Sequence, residues 1–196
     1  MGSFSSGRFN AVTVAQTFVA SRLREGDVAV DATAGNGHDT VFLARRVGAA
    51  GRVYAVDVQA EAVEATRRRL AEERLDERVV LRRGGHESLA TVFPEIRKRT
   101  VAAVMFNLGY LPGGDKTLTT RPDTTLAGLS GALECLAPRG LLAVVCYPGH
   151  PGGSDESSRV TAWAESLPSS EWRVLIGRFA SGGNKTPFPA IVNRAG

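Results

Sequence analysis

Glycines and carboxylates are concentrated in residues 31–40, which read DATAGNGHDT, and a further carboxylate follows at Asp57. Gly35 and Gly37 let the backbone of this segment pass close to a ligand. Asp57 follows Gly37 by 20 residues and can accept hydrogen bonds from both hydroxyls of an adenosine ribose. A glycine-rich turn alone is weak evidence, because a tight turn between a strand and a helix gives the same pattern. The two signals together predict a nucleoside-containing cofactor.

The carboxylates of this segment distinguish two kinds of nucleoside cofactor. A dinucleotide site follows G-x-G-x-x-G and places a pyrophosphate at a helix N-terminus. Here Thr40 stands at the third glycine position, and Asp31 and Asp39 would repel a phosphate. S-adenosylmethionine has an ammonium and a sulfonium but no phosphate, so the same carboxylates suit it. We therefore predict S-adenosylmethionine, and an NAD-dependent oxidoreductase is the alternative from another class.

Short apolar runs alternate with longer amphipathic ones along the chain, which predicts an α/β sheet covered by helices on both faces. Ligands of such sheets bind beyond the carboxyl ends of the strands. The last two predicted strands form an antiparallel pair at one side of the sheet. The first helix is expected to bury a face that carries Val14 and Phe18, with Ala15 and Val19 as further candidates. The predicted strands are residues 28–32, 52–58, 79–82, 101–106, 141–147, 172–179 and 189–194, and the predicted helices are 13–23, 38–47, 61–75, 87–93, 123–136 and 154–166.

The segments that follow the first five predicted strands are rich in Gly, Asp, Asn and His. All three histidines, His38, His86 and His150, lie in these segments, a distribution unlike that of histidines that fill a core. Their spacing does not suit a metal site, and we expect no metal. Cys135 and Cys146 form neither a metal-ligand pattern nor a disulfide framework, and we expect both to be reduced core residues.

The amino-acid sequences of these segments resemble those of one family of methyltransferases. DATAGNGHDT is similar to motif I of class I methyltransferases and to the family of "putative rRNA methylases". Members of that family include the MnmM-type enzymes, which methylate the aminomethyl group on the wobble uridine of certain tRNAs. The resemblance continues in order through residues 57–59 (DVQ), 85–87 (GHE), 107–116 (NLGYLPGGDK) and 147–153 (YPGHPGG).

The resemblance implies a fold and a cofactor site. The fold is the Rossmann-like α/β fold of class I methyltransferases, a seven-stranded, mostly parallel sheet with helices on both faces and an antiparallel C-terminal strand. We expect one domain over residues 1–196, with residues 1–25 as an N-terminal helix segment. His86 is expected to contact the adenine. The cofactor-binding residues that we expect are Asp31, Gly35, Asn36, Gly37, Asp39, Asp57, Gln59, His86, Asn107 and Leu108.

Residues 107–110 (NLGY) also resemble the Asn-Pro-Pro-Tyr element of methyltransferases that act on amino nitrogens. An amine attacks a methyl carbon directly, so such an enzyme must hold the nitrogen in line and remove a proton. We expect the Asn107 side chain and the Leu108 carbonyl to accept from the amine, and Tyr110 to stack on a base or stabilise cationic charge. His150 takes the proton or contacts RNA. The alternatives are a turn asparagine, a rim aromatic and a loop histidine bonded to the backbone.

Composition limits the location and the partners. The 196 residues are 43% hydrophobic, contain no long apolar run and lack a signal-peptide layout, so we expect a cytoplasmic protein without membrane contact. The net charge of +4 permits a nucleic-acid partner without requiring one. The arginine cluster at 67–69 is interleaved with glutamates, which favours a solvated helix face over an RNA patch.

The sequence and the resemblance together imply an S-adenosylmethionine-dependent N-methyltransferase whose partner is the anticodon stem-loop of tRNA. A methyltransferase for rRNA or for a small-molecule amine, and a non-catalytic RNA-binding module, stay open as alternatives. Lys116 either contacts a phosphate or lies in a flexible surface loop. A homodimer that shares the substrate is compatible with so small a domain, although no interface can be named from the sequence.

Overall fold

The computed structural model describes residues 9–115, 117–181 and 183–195, and every structural statement below concerns those residues. A seven-stranded sheet has the order β3-β2-β1-β4-β5-β7-β6. β7 runs antiparallel to both of its neighbours, β5 and β6, and the other paired strands are parallel. The strands are β1 (Val28–Asp31), β2 (Arg52–Asp57), β3 (Val79–Arg83), β4 (Val101–Asn107), β5 (Leu136–Cys146), β6 (Trp172–Ile176) and β7 (Phe188–Arg194).

Helices cover both faces of the sheet. The helices are α1 (Ala11–Arg22), α2 (His38–Val47), α3 (Ala60–Glu72), α4 (Leu89–Val92), α5 (Pro122–Cys135) and α6 (Gly153–Glu165), with short 3₁₀ turns at Asp76–Arg78 and His86–Ser88. Alternate residues of the central strands point to opposite faces, so Val104 and Phe106 pack with α4, α5 and α6, whereas Ala103 and Met105 pack with α1, α2 and α3. The fold class expected from the sequence is confirmed.

The first helix buries only part of the face predicted for it, namely Ala15 and Val19. Its buried stripe is Ala11, Ala15 and Val19, one residue per turn, whereas Val14 and Phe18 are only half-buried. The small residues let the helix backbone approach β5 and β7 closely. Asn10 caps the helix, because its side-chain oxygen accepts a hydrogen bond from the Thr13 N–H.

The structure also bears on the predictions about the cysteines and the N-terminal segment. Cys135 and Cys146 are free and buried, and burial raises the pKa of the first thiol to about 11 and that of the second to about 12. In the described ranges, no helix has the length and apolar character needed to span a bilayer. Residues 1–8 of the expected N-terminal segment, and Lys116, lie outside the described residues.

Candidate active site

The loops at the carboxyl ends of β1 to β5 surround a cavity of about 970 Å³. This volume is at the upper end of the range of roughly 300–1,000 Å³ for small-molecule sites. Loops after β1, β2 and β3 form one wall, which we call the cofactor-side wall (residues 31–40, 57–59 and 84–87). Loops after β4 and β5 form the other, the substrate-side wall (residues 107–115, 117–121 and 147–153). The predicted site residues that line the cavity are Gly35, Asn36, Asp39, Asp57, Gln59, His86, Asn107, Leu108, Tyr110 and His150.

Asp57 joins two loops of the cofactor-side wall. One carboxylate oxygen accepts a hydrogen bond from the Gly35 N–H at 2.9 Å, and the other accepts from the Gln59 N–H at 2.9 Å. The Gly35 carbonyl in turn accepts from the Thr66 hydroxyl at 3.0 Å, which ties the loop to α3. Each carboxylate oxygen of Asp57 retains acceptor capacity for a donor in the cavity, which suits a pair of ribose hydroxyls.

Asp31 and Gly37 lie behind the residues that line the cavity. Asp31 is 1% exposed, and its oxygens accept from the Thr40 hydroxyl at 2.6 Å and from the Thr33 N–H at 3.2 Å. Burial first, and then the neighbouring Asp39 carboxylate, raise the pKa of Asp31 to about 7. Asp31 is therefore bonded within its own loop and does not line the cavity, so its predicted contact with a cofactor stays a prediction.

Gly37 has a φ of +79° and begins α2 as its N-cap. A Cβ at this position would lie 3.0 Å from the Thr66 Cα, so the residue needs glycine both for its backbone angle and for its approach to α3. The Arg69 side chain crosses the same junction and donates to the Asn36 carbonyl at 2.6 Å. Of the arginine cluster, Arg67 pairs with Glu64 on the exposed face of α3, as the interleaved charges predict.

Asp39 and Asn107 form a hydrogen-bonded pair between the two walls. Asp39 is 6% exposed, and it accepts from the Gln16 side chain at 2.6 Å and from the Asn107 side-chain NH₂. Burial raises the pKa of Asp39, while the two donated hydrogen bonds oppose that rise. Because a carboxylate can only accept, Asn107 must direct its NH₂ to Asp39, which leaves its Oδ1 as an acceptor.

Gln16 and Tyr147 complete this network, and the sequence reasoning missed both. The Tyr147 hydroxyl donates to the Asn107 Oδ1 at 3.4 Å, and burial raises the pKa of Tyr147 to about 12, so the phenol stays protonated at neutral pH. The Asn107 N–H donates to the Thr33 hydroxyl at 2.7 Å. A glutamine next to the buried stripe of α1, and a tyrosine directly after β5, were the available signals.

Tyr110 and His150 meet at the mouth of the substrate-side wall. Tyr110 is 38% exposed, and its ring contacts the His150 imidazole edge-on at a centroid distance of 5.9 Å. His150 Nδ1 lies 2.9 Å from the Pro151 carbonyl oxygen, so Nδ1 must carry the hydrogen of that bond. In the neutral ring Nε2 is then an acceptor, and this buried atom has no hydrogen-bond partner among the described residues.

His86 is the buried histidine of the cofactor-side wall. It is 8% exposed, packs edge-on against Phe106 at a centroid distance of 5.5 Å, and lies directly beside Gly128 of α5. Burial lowers its pKa, which keeps the imidazole neutral. Its Nε2 lacks a hydrogen-bond partner in the described part of the chain. A neutral imidazole with an unsatisfied ring nitrogen suits hydrogen bonding to a heteroaromatic ring such as adenine.

The charges of the two walls differ. Within the described ranges, the carboxylates that line the cavity are Asp39, Asp57 and Glu87 of the cofactor-side wall, whereas Arg121 and Lys185 lie at the substrate side. The acidic wall suits a cationic cofactor and disfavours a pyrophosphate. In the same ranges, no group of three or more His, Cys, Asp or Glu side chains is arranged to hold a metal ion.

Comparison with known proteins extends these observations. The family model described as "Putative rRNA methylase" matches residues 53–193, and that for protein-L-isoaspartate O-methyltransferase matches residues 5–94. The chain is 40% identical over 174 residues to the "tRNA (mnm(5)s(2)U34)-methyltransferase, chloroplastic" of Arabidopsis thaliana. That alignment covers 85% of this chain and 63% of the relative, so the chain spans less than two thirds of the relative's length.

Two solved structures share most of the chain with this one. The "putative rRNA-methylase" of Clostridium thermocellum is 36% identical with a TM-score of 0.89, and the match covers 96% of this chain and 99% of that one. A "putative methyltransferase" of Streptococcus mutans, solved in complex with SAH, is 30% identical with a TM-score of 0.82 and coverages of 94% and 98%. On this evidence the chain belongs to the "Putative rRNA methylase" family of class I methyltransferases, and S-adenosylmethionine is its cofactor.

Proposed function

We propose that this chain transfers a methyl group from S-adenosylmethionine to the aminomethyl nitrogen of a modified wobble uridine in tRNA. The observation that carries the proposal is the fixed orientation of the Asn107 amide, which offers an oxygen acceptor at the cavity between the two walls. The name of the Arabidopsis relative, which matches 85% of this chain, supports the choice of acceptor.

The cofactor-side wall binds the cofactor in this proposal. Asp57 accepts from the ribose hydroxyls, and the buried neutral imidazole of His86 contacts the adenine. Asp39 supplies negative charge to the cationic methionine end of the cofactor. Gly35, Asn36 and Gln59 line the same wall of the cavity. Asp31 and Gly37 act indirectly, since they hold the loop in place behind the lining.

The residues after β4 position the acceptor amine. When bound, S-adenosylmethionine supplies an electrophilic methyl group that an amine lone pair attacks directly. The Asn107 Oδ1 and the Leu108 carbonyl accept hydrogen bonds from the amine and thereby direct its lone pair. Tyr147 donates to the same Oδ1 and limits rotation of the amide.

Tyr110 stacks on the nucleobase in this proposal, and His150 removes the proton of the amine. The exposed Tyr110 ring at the mouth of the cavity offers a face on which a nucleobase stacks. The amine must lose a proton to become the methylated product, and we assign its removal to His150, which lines the cavity beside Tyr110. Arg121 and Lys185, both exposed at the substrate side, contact phosphates of the anticodon stem-loop. A cytoplasmic location and a homodimer stay predictions from the sequence.

Mass spectrometry of nucleosides tests the proposal. The protein is incubated with S-adenosylmethionine and either tRNA that carries aminomethyl-uridine, the same tRNA without that modification, or rRNA. We expect a gain of one methyl group on the aminomethyl-uridine alone, and a much slower gain with Asn107→Ala. Methylation of rRNA or of the unmodified tRNA, without methylation of aminomethyl-uridine, would refute the proposed substrate.

A further inference from the structure

Glu156 is a buried carboxylate that does not line the cavity. It lies near the N-terminus of α6 and is 2% exposed. Its two oxygens accept hydrogen bonds from the hydroxyls of Thr120 and Thr125, each at 2.7 Å. No lysine, arginine or histidine of the described residues forms an ion pair with it. Because an unpaired buried carboxylate is costly, a specific role for this position has to be sought.

One of the two hydroxyls continues to the substrate-side wall. The Thr120 Oγ1 accepts from the Gly109 N–H at 2.8 Å, and the Thr120 N–H donates to the Gly109 carbonyl at 3.0 Å. Since the Gly109 N–H already donates to this hydroxyl, the hydroxyl proton is directed to Glu156. The carboxylate thus fixes the direction of a chain of hydrogen bonds that ends on the Gly109 backbone.

Gly109 lies between Leu108 and Tyr110, both of which have roles in the proposed function. It has a φ of +120°, a region that side-chain-bearing residues rarely adopt, and a Cβ there would lie 3.4 Å from the His150 Nε2. Leu108 precedes it and Tyr110 follows it, so the backbone angles of Gly109 set the directions of the Leu108 carbonyl and the Tyr110 ring.

Glu156 also joins the loops after β4 and β5. Helix α6 begins directly after the turn in which the Gly153 N–H donates to the His150 carbonyl at 3.0 Å. The same helix therefore follows the His150 loop and carries the carboxylate that holds the Gly109 loop. A shift of α6 would displace both loops together.

We propose that Glu156, acting through Thr120, is a positioning residue that sets the Leu108–Tyr110 backbone for methyl transfer. The expected effect on turnover rests on the proposed function. The expected effect on the Gly109 backbone rests on the hydrogen bonds described above. Thr125 provides an internal comparison, because its hydroxyl bonds to the same carboxylate at the same distance but does not line the cavity.

The kinetic test compares Thr120→Val with Thr125→Val in the full chain. Both variants remove one hydroxyl from Glu156, so we expect similar losses of thermal stability. Only Thr120→Val breaks the link to Gly109, and we expect kcat for aminomethyl-uridine tRNA to fall by about 10- to 100-fold, since small misplacements near the reacting atoms have effects of that order. We expect the Kd for S-adenosylmethionine to change by less than about threefold, a free-energy change under about 0.7 kcal/mol.

Two further variants separate positioning from direct contact. Thr120→Ser keeps the hydroxyl and is expected to retain most of the wild-type kcat. Glu156 does not line the cavity, and Glu156→Gln is expected to lower kcat as Thr120→Val does. The kcat of the double variant should be little lower than that of either single variant. Equal losses of kcat in Thr120→Val and Thr125→Val would overturn the proposal and leave a purely structural role.

Hydrogen exchange of the unliganded full chain gives a readout independent of turnover. We expect the Gly109 amide to exchange faster in Thr120→Val and Glu156→Gln but not in Thr125→Val. Unchanged exchange at Gly109 in the first two variants would refute the positioning role, whatever the substrate proves to be. If wild-type protein methylates no aminomethyl-uridine while these exchange rates change as expected, the proposed substrate fails and the geometric inference stands.

Discussion

The two walls of the cavity are held in different ways. On the cofactor-side wall the carboxylate of Asp57 binds backbone N–H groups of neighbouring loops, and buried Asp31 holds the loop after β1 from behind. On the substrate-side wall, the Thr120 hydroxyl accepts from the Gly109 N–H and donates to Glu156 of α6, and these bonds hold a longer and more exposed loop. Both walls are tied to a helix, the first to α3 through Thr66 and the second to α6 through Glu156, but in the proposed function the first binds the cofactor and the second positions the acceptor. Substitutions should therefore affect cofactor binding on one side and turnover on the other.

Asn107→Ala should produce the largest effect, on turnover. The change removes the oriented acceptor and leaves Asp39 with one hydrogen-bond donor fewer. We expect kcat for the aminomethyl-uridine substrate to fall by about 10²- to 10³-fold, the range found when a single oriented polar group is removed from an active site. Steady-state kinetics at saturating S-adenosylmethionine measures this. Asn193→Ala, a change at β7 outside the cavity lining, is the control, and an equal loss in both variants would argue against a specific role.

Asp57→Ala should show the complementary behaviour, a loss of cofactor affinity. A hydrogen bond to a charged group contributes about 1.5–3 kcal/mol, so we expect the Kd for S-adenosylmethionine to rise by roughly 10- to 100-fold. Turnover should recover in large part at high cofactor concentration, unlike that of Asn107→Ala. Calorimetry and kinetics on the same preparation provide both quantities. An unchanged Kd would show that the ribose contact is assigned to the wrong residue.

Asp31→Asn should reveal the cost of the buried carboxylate through the pH dependence of stability. Between the ordinary pKa of 3.8 and about 7, folded protein holds a proton on Asp31 that the unfolded chain releases, so raising the pH through this window lowers the free energy of unfolding. Asparagine lacks this dependence. At about 1.4 kcal/mol per pH unit, we expect the variant to gain about 3 kcal/mol relative to wild type between pH 5 and pH 8.

Urea unfolding at the two pH values measures this gain, and Asp115 supplies the control. Asp115 is fully exposed on the substrate-side wall, and its pKa is lowered by hydrogen bonds from the Thr117 backbone and side chain. Because its folded pKa lies below the unfolded value of 3.8, Asp115 is ionised in both states at pH 5 and pH 8, so Asp115→Asn should show the same stability difference at the two pH values. The same pH-independent result for Asp31→Asn would contradict the raised pKa.

Most of the fold was predictable from the sequence because its signals are local. Apolar runs bounded by glycine or aspartate predicted the positions of the strands, and the predicted bounds 38–47 of α2 match the structure. The start of β5 was predicted five residues too late, since residues 137–140 (APRG) are typical of a turn. Pairing of Leu136 with Val101 extends the strand to that point, a tertiary contact that no local pattern contains.

The site was predictable to a smaller extent, and the two walls differ in this respect too. The glycines and Asp57 could be found because their spacing within one β-α-β unit is itself the signal. The local signals for Gln16, Tyr147 and Glu156 were too weak to select them, because each matters only through a partner brought near by packing. The buried face of α1 was predicted in part, since Ala15 and Val19 were among the candidates but Val14 and Phe18 were placed above the small residues that allow close approach to the sheet.

Two glycines with similar backbone angles provide the smallest test of the comparison. Gly37 on the cofactor-side wall has a φ of +79° and Gly113 on the substrate-side wall a φ of +84°. A Cβ at the first would lie 3.0 Å from the Thr66 Cα, whereas a Cβ at the second would meet no heavy atom within 4 Å. Gly113→Ala should therefore cost only backbone strain, about 1 kcal/mol of unfolding free energy, and Gly37→Ala about 2 kcal/mol because α3 must also shift. Equal losses of unfolding free energy, measured by urea unfolding, would mean that the α2–α3 junction accommodates the added methyl group as easily as the exposed loop does.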